Sequence, residues 1–180
     1  MNKQELEICI NEYGKALYSF CKYLANNSQD ADDLYQDMFL TAMEQYERID
    51  FTKNPKSYLL SVALRIWKNR KRKFAWRKRI VDVLLMTEEA DAGEESVTDF
   101  SPEEVTLQRE RIIVVRQTVH NLPERLKVIV LLYYMEELSV AQIADVLHIP
   151  EGTVKSRLYH ARKILEKEFR SNNNTGPYSK

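Results

Sequence analysis

Residues 139–165, SVAQIADVLHIPEGTVKSRLYHARKIL, decide the fold of the C-terminal part of the chain. Ser139 and Gln142 have the spacing of a capping box, in which two side chains satisfy N–H groups at the start of a helix. The run HIPEG at 148–152 interrupts the helical pattern, and a second helix is predicted to begin near Thr153. The segment therefore predicts a helix, a tight turn and a second helix.

Each predicted helix has an apolar stripe on one face. The first stripe comprises Val140, Ile143, Ala144 and Leu147, and the second comprises Val154, Leu158, Ala161 and Leu165. The opposite arc of the second helix is polar and mostly basic, and contains Lys155, Ser156, Tyr159, His160, Arg162 and Lys163. Such a helix fits the major groove of DNA, where Lys and Arg reach guanine edges or phosphates. A solvated basic face on an ordinary helical hairpin is the alternative that this pattern leaves open.

The charge of the whole chain is balanced but unevenly distributed. The 180 residues have a formal net charge of zero. Residues 1–80 carry 15 basic and 10 acidic side chains. Residues 81–104 carry no basic and nine acidic side chains, and residues 105–180 carry 12 basic and eight acidic ones. Two basic blocks on either side of an acidic one indicate two modules that face polyanions.

Helical spacing of apolar residues recurs along the chain, while strand-like alternation is scarce. The sequence therefore predicts an all-α fold of two small helical domains joined by an acidic linker, with the helix-turn-helix in the C-terminal domain. The predicted boundaries are 1–81 for the first domain, 82–104 for the flexible linker, 105–170 for the second domain and 171–180 for a disordered tail.

The chain has two cysteines, Cys9 and Cys21, and they fit reduced core residues better than a disulfide framework or a metal site. No apolar run approaches the ~18 residues that a membrane span needs, so we expect no membrane insertion and a cytoplasmic location. The histidines His120, His148 and His160 lie in unrelated helical contexts. We therefore expect no catalytic set, no metal and no cofactor, and a protein that is not an enzyme.

The C-terminal block resembles region 4 of sigma factors, in particular those of the extracytoplasmic-function (ECF) group. The resemblance rests on the pairs Leu122-Pro123, Leu138-Ser139 and Ile143-Ala144, and on GTVKSRL at 152–158 followed by Ala161-Arg162. It covers about residues 121–168. Response regulators share the Leu-Ser and Thr-Val-Lys parts, so this block alone leaves two families open. The resemblance implies recognition of the promoter minus-35 element by Thr153, Lys155, Ser156, Arg157, Tyr159, His160, Arg162 and Lys163.

The segment DADDLYQDMF at 30–39 predicts a helix with two unlike faces. Its core face comprises Ala31, Tyr35, Met38, Phe39, Ala42 and Tyr46, and its acidic stripe comprises Asp30, Asp33, Asp37 and Glu44. The helix macrodipole is an alternative explanation for the acids at 30–33, but not for the two later ones. The segment is similar to the sigma-factor helix that docks on the clamp coiled coil of the largest polymerase subunit. That resemblance implies polymerase contacts by Asp30, Asp33, Gln36 and Asp37.

Nine basic residues and no acidic one lie between Arg65 and Arg79, interleaved with Trp67, Phe74 and Trp76. Cations can follow the phosphates of single-stranded DNA while aromatic faces receive unstacked bases. For Trp67 a place in the core is the alternative. The segment resembles the sigma-factor region that reads and melts the minus-10 element.

That resemblance implies minus-10 contacts by Lys68, Asn69, Arg70 and Arg72, with Trp67 beside them. Many relatives have Arg-Asn followed by Asp four residues later, whereas this chain has Leu64-Arg65 and Asn69. This departure leaves the residues that contact the flipped base open. The loop at 50–57 is a further candidate for specificity.

Taken together, the two resemblances imply a transcription initiation factor. The implied partners are core RNA polymerase, through its clamp coiled coil and flap, promoter DNA, and an anti-sigma factor that holds the protein near the membrane. A regulator that binds duplex DNA without entering the polymerase is the alternative. For the acidic linker we hypothesise that it occupies a basic polymerase channel or shields the basic run, against the alternative of an ordinary solvated linker.

Overall fold

The structure is a computed structural model that describes residues 3–25, 27–45, 54–85 and 107–174. All regular elements in these four segments are helices, as the sequence predicts. The chain divides into two compact units, Met1–Thr98 and Asp99–Lys180. Several sequence predictions lie outside the described residues: those on Tyr46, on residues 50–53 of the loop, on the linker at 86–104 and on the last six residues.

The first unit contains α1 (Lys3–Leu24), α2 (Ser28–Glu44) and α3 (Pro55–Leu85). Helix α2 begins after the N-cap Asn27, whose side chain accepts a hydrogen bond from the backbone N–H of Asp30 at 2.8 Å. Helix α3 begins at a proline, which suits the first helical position because its missing N–H has no helical partner there.

The core of the first unit lies where α2 packs between α1 and α3. Its fully buried side chains include Leu17, Phe20 and Cys21 of α1, Leu34 and Met38 of α2, and Leu59, Leu60 and Leu64 of α3. Cys9 and Cys21 are both buried thiols in this core, as predicted. Leu34 was missing from the predicted core face, because contact with two helices buries a wider arc of α2 than one stripe.

The second unit contains α4 (Leu107–His120), α5 (Glu124–Val130), α6 (Val140–Leu147) and α7 (Glu151–Asn174), with a π-helical turn at Leu131–Met135 after α5. Leu122, Val130 and Ala161 form a buried cluster that joins the α4 to α5 connection, α5 and α7. The π-helical turn is closed by the N–H of Glu136, which donates to the carbonyl of Leu131 at 3.1 Å.

Two helices run past the predicted domain boundaries, and one helix starts two residues before its predicted place. Helix α3 continues to Leu85, past the domain boundary at 81 but within the stretch at 83–86 for which the sequence allows order, and α7 continues to Asn174, past the domain boundary at 170. Once a helix is nucleated, each further residue adds a hydrogen bond at little cost, so polar residues can extend it. Helix α7 begins at Glu151 rather than near Thr153, because the Pro150 carbonyl already accepts the Thr153 N–H at 2.9 Å.

Candidate nucleic-acid interface

The helix-turn-helix is built from α6, a short turn and α7. The predicted capping box is present: the Ser139 hydroxyl accepts from the Gln142 N–H at 3.2 Å, and the Ser139 N–H donates to Gln142 Oε1 at 2.8 Å. Helix α6 ends at Leu147, and the C-cap His148 that follows has a left-handed backbone with φ of 53°. The predicted stripe of α7 is confirmed, with Val154, Leu158 and Ala161 buried and Leu165 half-buried.

The polar arc of α7 faces solvent. Its exposed members are Lys155, Ser156, Tyr159, His160, Arg162 and Lys163, whereas Thr153 and Arg157 are half-buried at its margins. Tyr159 is 57% exposed, and the Lys163 Nζ lies 5.2 Å from the centre of its ring. Lys155 forms a surface ion pair with Glu151 at 3.4 Å, which solvent screening makes easy to exchange for a phosphate.

Arg162 differs from the other cations of the arc because another element holds it. Its Nε donates a hydrogen bond to the Tyr134 hydroxyl at 2.8 Å. Its guanidinium carbon lies 5.6 Å from the ring centre of Tyr133 and 5.8 Å from that of Tyr134. Tyr134 belongs to the π-helical turn, so sequence analysis, which treated α7 alone, did not find it.

The second candidate surface is the C-terminal half of α3. The sequence left open whether Trp67 contacts DNA or lies in the core. Trp67 lies in the core at 7% exposure, and the Lys71 Nζ lies 4.8 Å from its ring centre. All residues at 71–79 are exposed. Among them Phe74 is 68% and Trp76 is 65% exposed, so these two aromatics are the ones that a base can reach.

The predicted minus-10 residues lie beside this surface. Lys68, Asn69 and Arg72 are exposed, and the Arg72 Nη2 donates to Asn69 Oδ1 at 3.3 Å. At 100° per residue, Trp76 continues the side of α3 that carries Asn69 and Arg72. Arg70 is half-buried, and its Nη2 lies 2.6 Å from the Asp37 carboxylate on α2.

The acidic residues of α2 fall into different settings. Asp30 lies in the first turn of the helix, where its carboxylate accepts from the Asn27 side chain at 3.0 Å. Asp32 accepts from the Tyr18 hydroxyl at 2.7 Å, and that hydrogen bond raises the pKa of Tyr18. Asp33 and Gln36 are exposed.

Two apolar side chains extend this acidic face of α2, and sequence analysis did not identify them. Leu40 is 57% and Met43 is 46% exposed. By helical periodicity Asp33, Gln36 and Asp37 share an arc of α2 with both of them. The sequence spacing alone indicates that these side chains share one arc of α2. It does not indicate that Leu40 and Met43 are exposed, because that depends on α1 and α3 packing against the other side of the helix.

Within the four described segments, no group of His, Cys, Asp and Glu is arranged to hold a metal ion. No helix in the described part of the chain is both long and apolar enough to cross a membrane.

The fold and these surfaces define a helical two-domain DNA-binding protein with a helix-turn-helix in its second domain. The family models for Sigma-70 region 2 and for Sigma-70 region 4 match residues 9–77 and 112–165. The chain is 30% identical over 156 residues to the ECF RNA polymerase sigma factor SigL of Mycobacterium tuberculosis, covering 86% of this chain and 83% of the relative. It belongs to the ECF group of the sigma-70 family.

Other similar proteins agree with this assignment. The ECF RNA polymerase sigma factor SigW of Bacillus subtilis is 28% identical over 169 residues, which cover 89% of this chain and 87% of the relative. The sigma factor RpoE of Bartonella quintana, solved with the anti-sigma factor NepR, has the same fold, with a TM-score of 0.68 at 21% identity over 93% of this chain and 96% of that one. CnrH, solved with the cytosolic domain of CnrY, gives a TM-score of 0.66 at 17% identity, over 94% and 90% of the two chains.

Membership of this family makes the chain a transcription initiation factor that recognises promoters. Sigma factors as a class bind core RNA polymerase and promoter DNA.

Proposed function

We propose that this chain reads the minus-35 element with α7, reads the minus-10 element with α3 and assists strand opening there. The polar arc of α7 supports the first part, because it lies opposite the buried stripe that fixes the helix to its domain. A helix fixed in this way can enter the major groove with Lys155, Ser156 and His160 towards base edges and phosphates.

The observation that carries the proposal is the run at 71–79 on α3, in which every residue is exposed. Its cations follow a phosphate chain, and its two exposed aromatic rings offer faces to unstacked bases. We assign the stacking role to Trp76 and Phe74 rather than to the buried Trp67. Unpairing a base costs a few kcal/mol, which such stacking can offset.

For polymerase docking we propose the exposed face of α2, with Asp33, Gln36 and Asp37 extended by Leu40 and Met43. A mixed acidic and apolar face suits a basic coiled coil such as the clamp, because charge steers the encounter while apolar contact adds affinity. The flap is the proposed partner of the second unit. Because the two units belong to one chain, their two weak DNA contacts combine into one selective contact. The distance between the minus-35 and minus-10 elements is then recognised along with their sequences.

The first experiment mixes the purified chain with sigma-free core polymerase, follows co-migration on a sizing column and maps transcripts from sheared genomic DNA. We expect co-migration and new, discrete start sites. Binding to duplex DNA without co-migration would instead support a regulator that acts outside the polymerase.

Two sets of variants separate the surfaces. Asp33→Asn with Gln36→Ala should weaken polymerase binding, whereas Glu7→Gln, an exposed acid on α1, should not. Phe74→Ala with Trp76→Ala should reduce the permanganate reactivity of unpaired thymines while leaving polymerase binding intact. Ile8→Ala, at 59% exposure on α1, is the matched control for loss of an exposed apolar side chain. Equal strand opening by the aromatic variant and its control would refute the α3 assignment.

We also propose restraint by an anti-sigma factor, which would keep the protein in the cytoplasm near the membrane. The support is that the solved relative RpoE was crystallised with the anti-sigma factor NepR. Deleting the gene for such a partner should raise transcription from the start sites mapped above, and unchanged transcription in every candidate deletion would contradict the proposal.

A further inference from the structure

The hydrogen bond from Arg162 to Tyr134 fixes the Nε edge of the guanidinium. Arginine has five N–H donors, one on Nε and four on the two terminal nitrogens. The Nε donor is used by the Tyr134 hydroxyl at 2.8 Å, while the rings of Tyr133 and Tyr134 lie beside the guanidinium. The terminal nitrogens of the guanidinium therefore belong to a group whose plane is already set.

This arrangement leaves Arg162 accessible. The hydrogen bond to Tyr134 is the main cause that raises the pKa of Arg162. Arg162 is exposed, and Tyr134 is 54% exposed. A guanidinium in this state suits an oxyanion, because its two terminal nitrogens can donate in parallel to two oxygens.

The position of Arg162 on α7 indicates which oxyanion this is. Arg162 follows Tyr159 by three residues and Lys155 by seven, so the three side chains share one flank of the helix. Side chains on the flank of a helix in the major groove face the sugar-phosphate backbone rather than the base edges. A DNA phosphate is therefore the ligand that fits.

We propose that Tyr134 is a positioning residue that pre-orients Arg162 for a bidentate contact with a DNA phosphate. The inference rests on the proposed entry of α7 into the major groove, and it adds a residue from outside α7 to that interface. A side chain that is already oriented loses less conformational freedom on binding, so the gain appears as affinity.

The test uses the full chain and a fluorescently labelled duplex of mixed sequence, titrated at several salt concentrations. Tyr134→Phe keeps the ring and removes the hydroxyl, and we expect it to weaken binding about two- to twelvefold, the cost of ordering one flexible side chain. The dependence of affinity on salt should stay unchanged, because the cation is still present. Arg162→Gln should weaken binding and lower the salt slope by about 0.9, the value for one lost phosphate contact.

Double variants distinguish positioning from a merely structural role. In the Arg162→Gln background, Tyr134→Phe should have no further effect on affinity. In the Lys163→Gln background, which removes a cation without touching Tyr134, it should keep its full effect. Equal effects in both backgrounds, or a lower melting temperature with unchanged affinity, would overturn the inference.

A separate variant tests the interface itself. Lys155→Gln should weaken duplex binding whether or not Tyr134 has this role. If Lys155→Gln weakens binding and Tyr134→Phe does not, only the positioning role fails. If neither does, the groove assignment of α7 fails and the inference fails with it.

Discussion

The Nη2 of Arg70 lies 2.6 Å from Oδ2 of Asp37, which joins the proposed DNA-binding helix α3 to the proposed polymerase-docking helix α2. The two side chains are 37% and 49% exposed, so water and other ions can compete for each of them. The sequence suggested separate partners for them. In the free protein each is instead the partner of the other, and a macromolecule that binds one of them competes with the other.

Removing Arg70 should therefore favour polymerase binding. An exposed ion pair contributes about 0.2 to 1 kcal/mol, so Arg70→Gln should raise the affinity for core polymerase by at most about fivefold. Competition against a labelled sigma factor measures this change. Arg72→Gln, which removes the same charge from the same helix but breaks only a hydrogen bond to Asn69, is the control. Identical affinities for the two variants would show that the Asp37 pair has no influence.

Replacing Glu137 with glycine should stabilise the fold. This residue has φ of 56°, in the left-handed region that costs a residue with a Cβ about 1 kcal/mol or more. Relief of this conformation in Glu137→Gly should raise the free energy of unfolding by about 1 kcal/mol. The conformational entropy that glycine adds to the unfolded chain offsets part of this gain. Glu151→Gly, an exposed glutamate within α7, should lower it. Thermal unfolding of both variants gives the comparison, and the same sign for both would contradict the argument.

The capping box should contribute measurably to the stability of the second unit. Ser139→Ala removes the hydroxyl that accepts the Gln142 N–H, and we expect a loss of about 0.5 to 2 kcal/mol. Ser156→Ala removes a hydroxyl that donates to the Thr153 carbonyl within α7, and should change stability by less than about 0.5 kcal/mol. Denaturant titrations that rank the two variants in the opposite order would disprove the role of the cap.

Gly14 should be coupled to Tyr35 across α1 and α2. A Cβ at Gly14 would lie 3.0 Å from the Tyr35 hydroxyl oxygen, which is closer than ordinary contact. Gly14→Ala should therefore be less favourable in the natural chain than in the Tyr35→Phe background, where it gains about 0.5 to 1 kcal/mol of helix propensity. A double-mutant cycle measures the difference, and a coupling energy near zero would mean that Tyr35 moves aside freely.

Much of the fold was accessible from local sequence. The capping box at Ser139 and the buried stripe of α7 were predicted and are present. Both depend on residues within a few positions of each other, where helix geometry fixes which side chains meet. The start of α7 and the far ends of α3 and α7 were placed less well, because the cost of extending a helix by a residue is small either way.

The candidate surfaces were accessible only in part. Periodicity identified the polar arc of α7, but could not decide between core and solvent for Trp67, nor show that Leu40 and Met43 are uncovered. Periodicity tells which side chains share a face of one helix. It does not tell what packs against that face, which depends on residues far away in the chain.

The sequence by itself determined the helical fold, the two basic blocks, the helix-turn-helix and the family, because short-range spacing and charge carry those features. Tertiary structure decided which charged side chains are already engaged. Arg70 meets Asp37 across 33 residues and Arg162 meets Tyr134 across 28. Such pairs form only when packing of the apolar stripes brings separate helices together, and a one-dimensional pattern contains no record of that distance.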